Sequence, residues 1–191
     1  MKKNKIFLCL NFQKSPTRAS LFLFLPLLLN CTDEKILAEK ASEKEKSGKK
    51  TEALYDYSLV LKKNPNSPVA NKRTGFLLAE SPLSFGVAIL QLEKAKKYLP
   101  EDREVNLKLF DLYLIVDELK RAEEILDELR ETIDTDTSLF LGNLVLCHKG
   151  GIRAKEFPAK FKNSISLGEL SQMHSFISCR QKLGIKSESE K

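Results

Sequence analysis

Three stretches of this chain repeat one pattern at nearly constant spacing. Ala53-Leu54 leads to Asn64-Pro65-Asn66, Ala88-Ile89 to Leu99-Pro100-Glu101, and Ala122-Glu123 to Ile133-Asp134-Thr135. The alanines lie 35 and then 34 residues apart. That is the period of stacked helix pairs, in which one pair cannot bury its apolar face alone and does so against its neighbours. Such a constraint predicts an all-α protein with a binding surface and no built-in catalytic cleft.

Apolar spacing supplies the helices that this period requires. Ile36, Leu37, Ala38 and Ala41 recur at helical intervals among charges over 35–47, and Gly48 interrupts them. A second helix over 51–62 carries Leu54, Tyr57, Val60 and Leu61 on one side and stops at Asn64-Pro65. Ser67-Pro68 then opens a helix with a capping residue and a first-turn proline, which Ser81-Pro82-Leu83-Ser84 breaks. Helices over 85–99, 104–117 and 120–133 complete three pairs, with Ala88, Leu92 and Ala95 facing inward on the first of these.

The residues that recur are small ones placed for close helix approach, with bulky ones behind them: Ala41, Gly48, Ala53, Tyr57 and Pro65; Gly75, Ala88, Leu92, Ala95 and Pro100; Tyr113, Ala122 and Leu126. This arrangement resembles the tetratricopeptide repeat (TPR). A side chain no larger than Ala lets two helices meet at the short end of the roughly 8 to 10 Å range. Phe110 and Leu129 depart from the pattern where small residues are usual, and Asp134 replaces a closing proline. The match spans 34–136 in units of about 34–67, 68–102 and 103–136, and a degenerate fourth unit follows at 137–165, with Glu156 in place of its second-helix alanine. The resemblance implies a right-handed solenoid of antiparallel helix pairs. It also implies that the first helix of each pair lines a concave face. The partner-contacting residues on that face would be Lys72, Arg73, Phe76, Leu107, Lys108, Asp111, Leu114, Leu141 and Val145. A mixed, partly apolar set of this kind suits an extended peptide or a helix. Ala38, Ser42, Glu104 and Lys108 occupy most places of the carboxylate clamp found in some TPR domains, which argues against a chaperone C-terminal peptide as the ligand.

The first thirty residues belong to a different class. Lys2, Lys3, Lys5, Lys14 and Arg18 precede the run Leu21-Phe22-Leu23-Phe24-Leu25-Pro26-Leu27-Leu28-Leu29, with no acid among them. A basic leader before nine apolar residues reads as an export signal over 1–30, whereas a spanning helix needs about 20 apolar residues. Leu28-Leu29-Asn30-Cys31 resembles the lipobox of bacterial lipoproteins, which implies cleavage before Cys31 and a diacylglyceryl group on its sulfur. The protein is then expected to be exported and lipid-anchored to a bacterial membrane. The chain has 32 basic and 26 acidic residues, but five of the basic ones lie in the leader, leaving 27 against 26. No global positive charge remains to support nucleic-acid binding.

Beyond the repeats, Ser166-Leu167-Gly168-Glu169 reads as a capping box for a helix over 167–183. Leu170, Met173, Phe176 and Ile177 on one face would close the end of the stack, making 166–185 a capping helix and 186–191 a frayed tail. No nucleophile elbow, zincin helix, phosphate loop or dinucleotide fingerprint is present. His148 and His174 are the only histidines, and Cys147-His148 with His174 and Cys179 makes a poor zinc tetrad because its first two ligands are adjacent. In an exported protein Cys147 and Cys179 can instead form a disulfide or remain buried thiols. The reading is a monomeric, cofactor-free adaptor that binds a protein or peptide; thiol chemistry at Cys147 and His148, or a self-associating solenoid, is the alternative. Metabolic labelling with a fatty acid is expected to mark the wild-type chain and to leave Cys31→Ala unlabelled.

Overall fold

The computed structural model describes residues 21–161, 170 and 172–185, with side chains from residue 34 onward except at Pro158. The basic leader, the Cys31 side chain, the capping box at 166–169 and the tail at 186–191 lie outside the described residues. Every regular element among the described residues is helical. The chain divides into two compact units, 1–65 and 66–191.

The first unit is a helix hairpin. Helix α1 spans Leu21–Lys46 and α2 spans Lys50–Lys63. The expected helix over 35–47 therefore starts earlier, and its backbone runs unbroken through Asn30 and Cys31. Ala41 and Ala53 are fully buried with Tyr57 and Val60, so small residues lie where the two helices meet. Leu54 and Leu61, expected on the buried side, are only half-buried, and Asp56 takes the place between them. Its carboxylate pairs with Lys44 at 2.8 Å, and Tyr57 donates to Glu45 at 3.1 Å. Gly48 makes the turn possible. At φ 78° it holds a left-handed conformation while its own amide bonds to the Glu45 carbonyl and that of Lys49 to the Lys44 carbonyl. Among the described residues no helix is long and apolar enough to cross a membrane.

The second unit is a chain of helices, most of which pack on the next in sequence: α3 (Pro68–Leu78), α4 (Phe85–Lys96), α5 (Arg103–Ile115), α6 (Leu119–Leu129) and α7 (Thr135–His148). The contact between α3 and α4 is the tightest. A Cβ on Gly75 would lie 2.6 Å from Leu92 Cγ and 3.2 Å from the Ala88 carbonyl oxygen, so only glycine fits. Ala88, Leu92 and Ala95 are all fully buried. Phe110 and Leu129, the large residues that depart from the repeat pattern, are buried as well. Polar contacts tie α4, α5 and α6 together from outside the core. Tyr113 donates to Glu93 at 2.8 Å, Arg121 pairs with the same carboxylate, and its guanidinium lies 4.6 Å above the Tyr113 ring. Burial and the Glu93 carboxylate together push the Tyr113 phenol well above its ordinary value.

Capping differs from what the sequence suggests. Ser67 precedes Pro68 but its side chain makes no capping bond. Two aspartates do that work elsewhere. Asp102 accepts from the Val105 amide at 3.1 Å, and Asp134 accepts from the Thr137 amide at 2.8 Å and its hydroxyl at 2.7 Å. The residue that breaks the repeat's closing proline thus starts α7.

Among its described residues the expected fourth unit has a first helix and no long second one. After α7 the chain makes a 3₁₀ turn (Ala154–Glu156) and the single-turn helix α8 (Phe157–Lys160). Arg153 and Glu156 bridge across that turn, which gives Glu156 a role that an alanine would not have. The last described helix, α9, spans His174–Lys182, and residues 167–169 and 171 of the expected capping helix lie outside the described residues. Met173 and Phe176 are buried as expected, but Ile177 is 41% exposed.

Two substitutions test the packing. Gly75→Ala should lower stability by about 1–3 kcal/mol, because overpacking outweighs the roughly 1 kcal/mol gained in helix propensity. Asp117, which ends α5 at φ 64° in the same left-handed turn that Gly48 makes, should give the reverse: Asp117→Gly is expected to raise stability by about 1 kcal/mol in urea denaturation.

Candidate functional site

The nine residues expected on a partner-facing surface fall into two groups. Lys72, Arg73 and Phe76 on α3, with Leu107 and Lys108 on α5, are half-buried and reach solvent. Asp111 and Leu114 on α5 and Leu141 and Val145 on α7 are at most 5% exposed. Asp111, Leu114 and Leu141 are closed to a partner, whereas Val145 lies in the wall of a groove between α6 and α7. Asp111 meets α9 directly, and α9 packs on α5 and α7 and shares their core through Phe176 and Cys179.

Asp111 holds α9 by its first turn. Its Oδ1 accepts from the Ser175 amide at 2.7 Å, and its Oδ2 accepts from the His174 amide and from His174 Nδ1, both at 3.2 Å. Met173, the residue preceding α9, supplies no capping side chain. Asp111 therefore caps α9 from 63 residues away in sequence, placing a negative charge at the positive end of the helix. Burial by itself would raise the Asp111 pKa, but the donors from His174 and Ser175 outweigh it and hold the carboxyl below its ordinary value.

Two more ties fasten α9 to α7. Cys147 and Cys179 are joined in a disulfide with Cα atoms 6.0 Å apart, closing a loop of sequence separation 32. In the chain-entropy account, such a loop stabilises by roughly 4 kcal/mol. Beside it His148 Nε2 donates to the Ser175 carbonyl at 2.9 Å, and Lys182 Nζ donates to His148 Nδ1 at 3.4 Å. Both bonds need the neutral Nε2–H tautomer. Burial, reinforced by Lys182, keeps the His148 pKa below its ordinary value. Phe176 completes the attachment by packing 5.3 to 5.7 Å from the rings of Phe140, Phe157 and Phe161.

What stays open is a small hollow beyond the start of α9. Phe76, Glu104, Leu107, Lys108, Leu170 and Met173 line about 180 Å³, with the Asp111 side chain at its base. Lys72, Arg73 and Lys108 each place a cation 5.8 to 5.9 Å from the centre of the Phe76 ring. Lys72 is held by Asp102 at 2.8 Å and Glu104 at 2.7 Å, whereas Lys108 lies 4.0 Å from Asp111. Met173 and Leu170, expected on the apolar face of a capping helix, form walls of this hollow.

Among the described residues no cluster of three His, Cys, Asp or Glu could hold a metal ion. The paper tetrad of Cys147, His148, His174 and Cys179 is divided otherwise: the sulfurs bind each other and the two imidazoles serve different helix contacts. No family model, no curated protein and no solved structure matches this chain.

The attachment of α9 makes stability depend on pH with a definite sign. The His148 contribution is complete above pH 6.5, roughly the ordinary histidine value, and falls below it, because the unfolded chain then takes up a proton that the buried imidazole resists. The Asp111 contribution stays intact until the pH drops below about 4. Melting temperature should therefore decline between pH 7 and 5, and that decline should shrink in His148→Gln. Asp111→Ala should cost about 1–3 kcal/mol at neutral pH and raise amide exchange selectively over 176–179.

Proposed function

We propose that this protein is a membrane-tethered helical-repeat scaffold of the bacterial cell envelope, one that holds a protein partner and turns over no substrate. The observation that carries the reading is the open hollow over Phe76 and Leu107, an apolar floor with Lys72, Arg73 and Lys108 beside it. An extended peptide or helix end that offers one apolar side chain next to a carboxylate matches that floor and those charges. The close Gly75 to Leu92 contact and the buried Ala41, Ala53, Ala88 and Ala95 support TPR-like pairing of the helices. Tethering rests on the lipobox-like run ending at Cys31, from which α1 continues to Lys46.

In this reading α9 fills the part of the concave face that α5 and α7 would offer, so the partner meets only the α3 and α5 side of it. An enzyme working through a Cys147 thiolate is disfavoured, because its sulfur is bonded to Cys179. Crosslinking in intact cells should recover a specific protein partner, and Lys108→Glu should lose it while the circular dichroism spectrum is unchanged. Recovery of lipid alone, or capture that ignores Lys108→Glu, would count against the scaffold.

A further inference from the structure

The outer face of α7 carries two exposed leucines. Its inner residues Phe140, Leu141, Leu144 and Cys147 are buried, but Leu139 is 59% and Leu146 45% exposed. Gly142 lies between those leucines, and a Cβ added there would meet nothing within 4 Å. With Leu126, Asp127 and Arg130 of α6, this face walls an open groove of about 680 Å³. A volume of that size takes a helix rather than a side chain.

Two features of α7 share one centre. Leu139 and Leu146 are equally far from the point between Gly142 and Asn143, and so are Asp136 and Lys149. An antiparallel copy of α7 centred on that point sets Leu139 against Leu146 of the other chain. It also brings the acidic start of each helix, at Asp136, to the basic end of the other, at Lys149. Gly142 at the crossing removes the side chain that would hold the two axes apart. Opposed helix directions place each positive terminus beside a negative one. A two-fold axis makes every one of these contacts twice, as an isologous interface requires. Lys149 already reaches Glu123 at 2.6 Å, so the charge stands at the rim of the groove.

We propose that the α6–α7 groove binds a second copy of this chain, α7 against α7, and that the protein is a two-fold dimer rather than the monomer expected from sequence. A foreign amphipathic helix, or residues 162–169 of the same chain, could also cover leucines, but neither accounts for the paired spacing of leucines and charges. The interface lies on different residues from the Phe76 hollow, so dimerisation and partner capture are separable.

Light scattering on the full chain in detergent micelles, corrected for the micelle, should give twice the chain mass. Leu146→Glu should return it to a single chain with helical content unchanged, while Val87→Glu, at an exposed site on α4, should leave the dimer intact. Gly142→Cys should form a disulfide with its own counterpart on mild oxidation, and Val87→Cys should not. This arm stands even where Leu146→Glu disturbs folding. A wild-type chain of single mass, a dimer that survives Leu146→Glu, or equal crosslinking at both cysteines would overturn the proposal; the first of these is the result expected if the groove serves residues 162–169 or a foreign helix.

Discussion

The second unit depends on a charge that is almost wholly out of water. Asp111 is 1% exposed, and a carboxylate in such a place is tolerated only when its oxygens are matched by donors. The donors come from the first turn of α9, whose amides lack partners for the same reason that all helix starts do. Each side resolves the other's deficit. A helix of nine residues would be marginal alone, so α9 owes its existence to this contact and to the disulfide and aromatic cluster that flank it.

Along α5 the exposure is uneven: Asp111 is covered by the first turn of α9, while Phe76, Leu107 and Lys108 remain in reach of solvent. The disulfide makes the sealing durable in an oxidising compartment, where loop closure and redox conditions act together. It also accounts for Cys147 and Cys179 without thiol chemistry. The hollow that stays open beside α9 is small and carries both charges, with Lys108 and Glu104 in its lining and Lys72 paired to Asp102 and Glu104 at its edge.

The aspartates explain several of the departures from the repeat pattern. Asp134, which replaces a proline, caps α7, and Asp102 both caps α5 and pairs with Lys72. Asp111 is chemically no different from them, but it stands among Leu109, Phe110, Leu112, Tyr113 and Leu114, an apolar setting that already marked it as unusual for a surface aspartate. Its assignment to a partner surface failed because spacing along α5 says which side of the helix it occupies and nothing about what lies opposite. The start of α9 has a similar origin: apolar spacing does not mark His174 as a first turn, and the buried carboxylate fixes it there.

Sequence alone determined the local elements and their close contacts. Helix periods, turn residues such as Gly48 and the need for glycine or alanine at 41, 53, 75 and 88 are consequences of backbone sterics and of spacing within a few turns, and these are written in consecutive residues. The 32-residue gap between Cys147 and Cys179 likewise allowed a bond on neighbouring helices. Only the tertiary structure decided that α9 folds back over Asp111 on the predicted surface. That outcome rests on Asp111 meeting amides 63 residues away, and such a meeting depends on the summed geometry of all the helices between, which no local pattern records.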